Sequence, residues 1–540
     1  MFRNFTGLVC TCLLAFAVST CSAADSEVLT FDEATLRGHM EFLASVELQG
    51  RKALESGGEI AARYIASQFR KYGLHPGINE RSYYQSVPVE TFEFRGNETT
   101  LQMQLRRDTT QTVIFRWGED FWMFPRKMVD SVSGTVCICG YGIQAPEAGY
   151  DDYQGMDVAG KFVIAFLGEP ETEDTTNLFG KGKPTRHGMI PVKAKLAEKL
   201  GAVGLILTAF RSQRERQWLP IIERKKADWD SDIIQSVGDS EFPVIYLDPD
   251  KASWLMDSMD DFGYGEYIQE LVSQFKGIPV SFPEMDFQFN TIFSNTVVDT
   301  VVNVIGRLGD STLDGDVVII GAHYDHIGVV DGQVCYGADD NASGVSALLT
   351  LAEALAPMKE RLQRGVLFVS FGAEEAGLIG SRYYVEHPVH PLEKTVAMVN
   401  MDCIGREGSD SYRTMHRPPQ TEEERNLLFA FYSAQYPDLK DIVLGMPNPD
   451  SLTLRPSPLT GRFDFGDHAP FLHRNIPVLF FFSGYHADYH TPNDSIERIV
   501  FPKMTRITTL IYHVIMDLAN KSTVLEAVEV NPAAFPTPMH

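Results

Sequence analysis

The chain has 540 residues, of which 44% are hydrophobic and 22% charged, a composition typical of a globular protein with room for two or three domains. Its formal net charge of -25 at pH 7 argues against nucleic acid as a partner, because binding a phosphate backbone requires a basic surface. The seven cysteines include no CxxC pair, so a cysteine-built zinc site is not expected.

The N-terminus has the pattern of an export signal. Arg3 supplies a positive charge, residues 5–18 are mostly apolar, and residues 22–24 are small, which suits cleavage after position 24. The apolar run is too short for a comfortable membrane span. We therefore expect an exported protein, periplasmic or extracellular. A lipid anchor at Cys21 stays open as an alternative, although the residue before it does not suit that pattern.

The next part of the chain divides by its periodicity. Apolar residues at helical spacing predict two helices within 31–73, and alternation predicts strands within 87–117. From about residue 130 to 283, short apolar runs indicate a compact β-rich unit inserted into another domain. The predicted division is a signal peptide at 1–24, a first part of the main domain at 25–125, the insert at 126–285, the main part at 286–525 and a C-terminal tail at 526–540.

From about residue 291 strands and helices alternate, which predicts an α/β fold with a mostly parallel or mixed sheet between helices. Functional residues of such sheets gather at the carboxyl ends of the strands. The predicted strands are 317–320, 366–371, 396–401 and 478–482, and the predicted helices are 344–356, 378–385, 422–433 and 496–518.

The run Gly321-Ala-His-Tyr-Asp-His326 directly follows the predicted strand 317–320. In an extended backbone His323 and Asp325 point the same way, and an acid beside an imidazole is how proteins orient a metal ligand. His326 would then lie on the opposite face, where we interpret it as a structural histidine.

Four further motifs carry ligand-type side chains. Asp340 lies in a glycine-flanked loop before a predicted helix, Glu374 and Glu375 follow a predicted strand, Asp402 ends another, and His490 precedes a helix. Each has an ordinary alternative: Asp340 could be a helix cap, and the glutamate pair could be a solvated loop. Taken together, two histidines and three acids are the mixture expected for two zinc ions that share a carboxylate.

In order and local sequence, these motifs resemble those of the M28 zinc peptidases, and the resemblance covers most of the mature chain. It implies the zinc aminopeptidase or phosphorylase-hydrolase type of α/β fold and two zinc ions per chain. The implied ligands are His323 and Asp402 for one zinc, Glu375 and His490 for the other, and Asp340 as the bridge.

The same resemblance implies supporting roles for five other side chains. Glu374 would be the general base, Asp325 would orient a ligand, and Tyr489 would help to polarise the scissile carbonyl. Asp467 and His468 would line the site without binding metal.

The predicted insert resembles the protease-associated (PA) domain found in many such peptidases. The matching text lies at residues 140–143, 149–153, 158–161 and 193–204. In the family this domain borders the cleft, and we identify no catalytic residue in it here.

The resemblance favours an aminopeptidase that removes N-terminal residues from peptides. A glutamate-carboxypeptidase-like enzyme is the alternative, and it would need a cationic pocket for the substrate carboxylate. The arginines available for one are Arg406, Arg413, Arg455 and Arg462. A receptor-like relative without catalysis and a single-zinc cyclising transferase remain further alternatives. The complete metal set and Glu374 argue against the first, and the intact His323 argues against the second. Substrate preference and oligomeric state are not predicted.

Overall fold

The computed structural model describes residues 31–107, 109–123, 129–170, 185–214, 233–236, 240–258, 263–274, 279–309, 315–409, 417–448, 452–459, 465–520 and 525–530. The predicted signal peptide, with Cys21, lies outside the described residues, as do positions 531–540 of the predicted tail.

A mixed sheet of ten strands forms the main body of the described chain. Strand Val317–His323 is buried along its whole length and lies between two parallel neighbours. Such continuous apolar runs are typical of strands covered on both faces. The strand order is Ile233–Ser236, Tyr84–Phe94, Phe293–Leu308, Gly365–Phe371, Val317–His323, Thr395–Asp402, Val478–Phe482, Leu427–Ser433 and Thr453–Leu459, with His75–Pro76 paired to Phe293–Leu308.

Helices cover both faces of this sheet, which confirms the predicted α/β class. One face packs against Glu33–Leu43, Ser56–Lys71, Gly344–Leu355 and Phe501–Asn520, and the other against Ile379–Glu386 and Ala469–His473. Among the described residues, no helix combines the length and apolarity needed to cross a bilayer.

A second sheet, of eight strands, is built from the chain between Phe94 and Phe293 of the main sheet. Its aromatic and aliphatic side chains form separate clusters on its two faces. The similarity of this unit to a PA domain stays a prediction. Its strand order is Thr110–Phe115, Thr100–Arg106, Val280–Asn290, Ser131–Ile138, Lys161–Phe166, Gly204–Thr208, Val244–Leu247 and Phe121–Met123, and its helices are Ile190–Lys199, Pro249–Asp257 and Tyr264–Gln274.

The predicted helix over 422–433 is wrong. A capping box at Thr421 does start a helix, but it ends at Arg425, and Leu427–Ser433 is a buried strand. The run Leu-Leu-Phe-Ala-Phe-Tyr-Ser is rich in aromatic side chains that pack well on a sheet, and two flanking strands pair with it. The predicted helix over 496–518 begins later than expected, at Phe501. The other helices and strands predicted beyond residue 291 are confirmed.

Replacing Phe69 by alanine is expected to lower the free energy of unfolding by about 3–5 kcal/mol. Phe69 is fully buried, and its ring lies 6.2 Å from that of Phe368 in the central sheet. Phe42→Ala is the matched control because Phe42 is 37% exposed. Denaturant unfolding of the three proteins measures the difference, and equal losses in both variants would contradict this description of the core.

Candidate metal centre

Most of the predicted site residues lie at one edge of the main sheet. His323 is the last residue of strand Val317–His323, and Asp402 is the last residue of the adjacent parallel strand Thr395–Asp402. Glu374 and Glu375 follow the other parallel neighbour, which ends at Phe371. The carboxyl ends of three neighbouring parallel strands therefore bring these side chains together, as expected for an open α/β sheet.

Asp340 reaches the same edge from the loop that precedes helix Gly344–Leu355. The side chain of Asn341, rather than that of Asp340, accepts the hydrogen bond from the Gly344 amide. The carboxylate of Asp494 accepts hydrogen bonds from the main-chain amides of Asp339 and Asp340. The helix-cap interpretation of Asp340 is therefore wrong, and its carboxylate faces the other acids and histidines.

One potential metal-binding group consists of His323, Asp340 and Asp402. The Nε2 atom of His323 lies 3.4 Å from Asp340 Oδ1 and 3.5 Å from Asp402 Oδ1. Ligand atoms about 2.0–2.1 Å from a tetrahedral zinc are separated from one another by about 3.3 Å. The spacing and the donor types of this group therefore fit zinc.

A second potential metal-binding group consists of His326, Asp340, Glu375 and His490. The Nε2 atom of His490 lies 2.9 Å from Asp340 Oδ2 and 3.2 Å from Glu375 Oε2. Asp340 thus belongs to both groups and turns a different carboxylate oxygen to each. A shared carboxylate of this kind is what two adjacent cations require.

His326 is the site residue that sequence reasoning missed. Its Nδ1 atom lies 2.9 Å from Glu375 Oε1 and 3.5 Å from Asp340 Oδ2, with the ring 1% exposed. The prediction that it faces away from the site is wrong, because the strand ends at His323 and the two-residue alternation does not continue beyond it.

Asp325 holds Glu374 and Glu375 in place through hydrogen bonds to their main-chain amides. Its two carboxylate oxygens accept hydrogen bonds from the amides of Glu374 at 3.0 Å and Glu375 at 3.3 Å. His323 contacts the main-chain carbonyl of Asp325, with Nδ1 at 3.2 Å from the oxygen. Asp325 therefore connects the strand that carries His323 to the loop that carries both glutamates.

Three further predicted residues border the two groups. The ring of Tyr489 stacks on His490 with centroids 4.0 Å apart. Asp467 is fully buried, and its negative charge acts on Glu374. His468 is also buried, and its ring stacks on that of Phe480 with centroids 4.3 Å apart.

The two adjacent glutamates have opposite electrostatic environments. Burial raises the pKa of Glu374 well above its ordinary value, although His323 opposes the rise. Burial also acts upward on the pKa of Glu375, but His490 and His326 outweigh it and hold that pKa well below its ordinary value. Burial lowers the pKa of His490, but Glu375 and Asp340 outweigh burial and raise the pKa to about 11. Two neighbouring carboxyl groups whose pKa values are shifted in opposite directions suit two different roles, one as an ionised metal ligand and the other as a group that carries a proton.

Several residues at this edge have a left-handed backbone conformation that is unusual for side chains other than glycine. They are Ala373, immediately before the glutamate pair, Cys403, immediately after Asp402, and His490 itself. Each costs on the order of 1–3 kcal/mol and is kept only where the surrounding packing enforces it. Their concentration around the two groups is typical of a functional site.

Comparisons with known proteins agree with this geometry. Residues 303–515 match the model of peptidase family M28. A probable leucine aminopeptidase 2 of Arthroderma benhamiae is 30% identical over 214 residues, 36% of this chain and 38% of that protein. Aminopeptidase YwaD of Bacillus subtilis is 28% identical over 233 residues, 41% of this chain and 46% of that protein. The aligned region thus spans less than half the length of either relative.

A solved structure supports the fold over a longer stretch. The aminopeptidase from Aneurinibacillus sp. strain AM-1 superposes with a TM-score of 0.54 at 20% identity, covering 92% of this chain and 97% of that one. The matched segment 303–515 contains all eight of the predicted metal-binding and catalytic residues. Over residues 303–515 the chain is therefore similar to peptidase family M28.

Proposed function

We propose that this protein is an exported two-zinc aminopeptidase that hydrolyses the N-terminal bond of peptides. The observation that carries the proposal is Asp340, whose two carboxylate oxygens face two separate ligand groups. His323 and Asp402 would hold one zinc, and Glu375 and His490 the other. We assign His326 to holding Glu375, because its Nδ1 atom is close enough to hydrogen-bond one carboxylate oxygen while the other faces His490.

Glu374 is the proposed general base. It belongs to neither ligand group, and its Oε2 atom lies 3.9 Å from His323 Nε2 with the side chain 14% exposed. The chemistry that zinc supplies when bound is Lewis-acid polarisation and acidification of water. Glu374 would accept the proton from the attacking water and deliver it to the departing amine nitrogen. Asp325 would fix Glu374 through its amide, and Tyr489 would bind the carbonyl oxygen.

An amino-terminal rather than a carboxyl-terminal substrate suits the charges around the site. Arg406 donates to Asp488 at 2.8 Å and lies 3.8 Å from Asp494, so its guanidinium already has acidic partners. Arg455 stacks over the ring of Phe429 at 5.4 Å. The other candidates for a carboxylate pocket, Arg413 and Arg462, lie outside the described residues. An acidic cluster favours a substrate ammonium group, and the related proteins named above are aminopeptidases.

The remaining parts of the proposal concern location and domain organisation. We propose that residues 1–24 are removed on export and that the insert at 126–285 is a PA domain bordering the cleft. The first and main parts of the peptidase domain would be 25–125 and 286–525, with a tail at 526–540. A lipid anchor at Cys21 stays an open alternative.

The experiment that tests the function is a panel of aminoacyl chromogenic amides and N-acetylated peptides, each assayed with and without a chelator. We expect cleavage of the free-amine substrates only, complete loss of activity on chelation and recovery with zinc, because the water must be acidified by the metal. Metal analysis should give about two zinc ions per chain. Cleavage restricted to N-acetylated peptides would contradict the aminopeptidase assignment, and a stoichiometry near one would favour the cyclising transferase.

A further inference from the structure

Arg51 is a buried cation at the base of the metal centre. It ends the short helix Val46–Arg51, which connects helices Glu33–Leu43 and Ser56–Lys71. The residue is 1% exposed and has a left-handed backbone conformation, with φ of 53°. A β-carbon on the preceding Gly50 would lie 2.4 Å from the carbonyl oxygen of Cys335, so this segment is in close contact with the loop before Asp340.

The guanidinium of Arg51 donates only to main-chain carbonyls in the hydrogen bonds it makes here. Nε donates to Tyr324 O at 2.8 Å, and Nη1 donates to Tyr336 O at 2.7 Å and to Leu43 O at 2.6 Å. Nη2 donates to Gly337 O at 2.8 Å and to Asp340 O at 3.5 Å. These five contacts account for all five N–H groups of the side chain.

Four of the five acceptors lie on the two segments that carry the first metal-binding group, and the fifth, Leu43, ends helix Glu33–Leu43. Tyr324 lies between His323 and Asp325, and residues 336–340 form the loop that ends in Asp340. Since the guanidinium is planar and rigid, its donors fix the relative position of the two segments. The side chain therefore sets the separation between His323 and Asp340, on which the first ligand group depends.

The positive charge of Arg51 interacts with carboxylates of the metal centre. Four carboxylates interact electrostatically with it, those of Asp340, Asp494, Asp325 and Glu375. Arginine stays protonated in proteins, so a permanent positive charge lies beneath an acidic cluster. A buried charge of this kind is costly unless it is fully hydrogen-bonded, which explains why every donor is used.

We propose that Arg51 is a positioning residue for the metal centre. It clamps the His323 strand end to the Asp340 loop at the separation that zinc requires. This inference rests on the proposed two-zinc function and deepens it, since it assigns a role in metal binding to a residue that cannot itself be a ligand.

The test uses Arg51→Lys and Arg51→Met in the full chain, with Arg63→Met as the matched control. Arg63 is 71% exposed on the neighbouring helix Ser56–Lys71. Zinc affinities of both groups are measured by competition with a chromogenic chelator, and folding of the metal-free proteins by thermal unfolding. We expect both Arg51 variants to bind zinc at least about tenfold more weakly and the control to be unchanged. Lysine should rescue only in part, because it keeps the charge but not the planar fork.

The kinetic readout separates positioning from general stability. Metal-loaded Arg51→Lys is expected to lose kcat with little change in KM, because the substrate-binding surface remains while the ligand geometry relaxes. Zinc affinities within twofold of the unsubstituted protein in a folded variant would overturn the proposal, and so would failure of both variants to fold even in excess zinc. Unsubstituted protein that binds zinc but cleaves no peptide would instead overturn the proposed function alone.

Discussion

Glu374→Gln is expected to keep its full zinc content while losing peptide hydrolysis by a factor of about 10²–10⁴. The amide has nearly the same shape as the carboxylate but cannot accept a proton. Glu374 lies outside both ligand groups, so the substitution removes no metal ligand. The measurement is kcat on an aminoacyl chromogenic amide together with metal analysis of the same preparation.

The matched control for this substitution is Glu353→Gln, on the exposed side of helix Gly344–Leu355. It should leave both activity and zinc content unchanged. Full turnover in Glu374→Gln at unchanged zinc content would remove Glu374 from the mechanism. Loss of zinc in that variant would instead show that Glu374 is a ligand.

Asp340→Asn is expected to weaken zinc binding at both groups by more than about 100-fold and to abolish hydrolysis. The carboxylate faces His323 with one oxygen and His490 with the other, and an amide offers only one oxygen and no negative charge. Positioning residues around metal ligands typically contribute 10–100-fold in affinity, so loss of a shared ligand should exceed that range. Zinc content after gel filtration measures the effect.

Asp402→Asn provides the comparison for the shared ligand, because Asp402 belongs to the first group only. We expect this variant to retain about one zinc ion and Asp340→Asn to retain essentially none. If the two variants lose the same single ion, Asp340 does not bridge, and the two-metal proposal is wrong.

The sequence predicts the main sheet well for a physical reason. Its central strands are almost continuous apolar runs, each followed at once by glycine, serine or an acidic residue, and such runs are typical of strands covered on both faces. The segment 422–433 shows the limit of predicting secondary structure from local sequence. The capping box at Thr421 starts only a short helix, and residues Leu427–Ser433 instead pair with strands Thr453–Leu459 and Val478–Phe482, which lie later in the sequence. Tertiary pairing therefore decided its structure, not local preference.

The same distinction between local sequence pattern and tertiary contacts applies to the candidate site. The residues predicted from five separate motifs lie together, because four of the motifs follow strands of the main sheet and the fifth, with Asp340, precedes helix Gly344–Leu355 at the same edge. Strand alternation cannot predict the position of His326, because the strand ends at His323. The clamp made by Arg51 could not be predicted, because its acceptors are main-chain carbonyls up to 289 positions away and carry no side-chain signature.

The way in which the second sheet is attached has a consequence for how such a protein can arise. The chain leaves strand Tyr84–Phe94 of the main sheet at Phe94, adds the edge strand Ile233–Ser236 to that sheet on the way, and resumes beside its point of departure at Phe293. Phe94 and Phe293 face each other in an antiparallel pair. Because the two ends of the inserted segment lie side by side, the main sheet does not restrict how long the chain between them can be. A whole additional module could therefore be acquired or exchanged within an ordinary hairpin connection while the strands that carry the candidate metal centre kept their register.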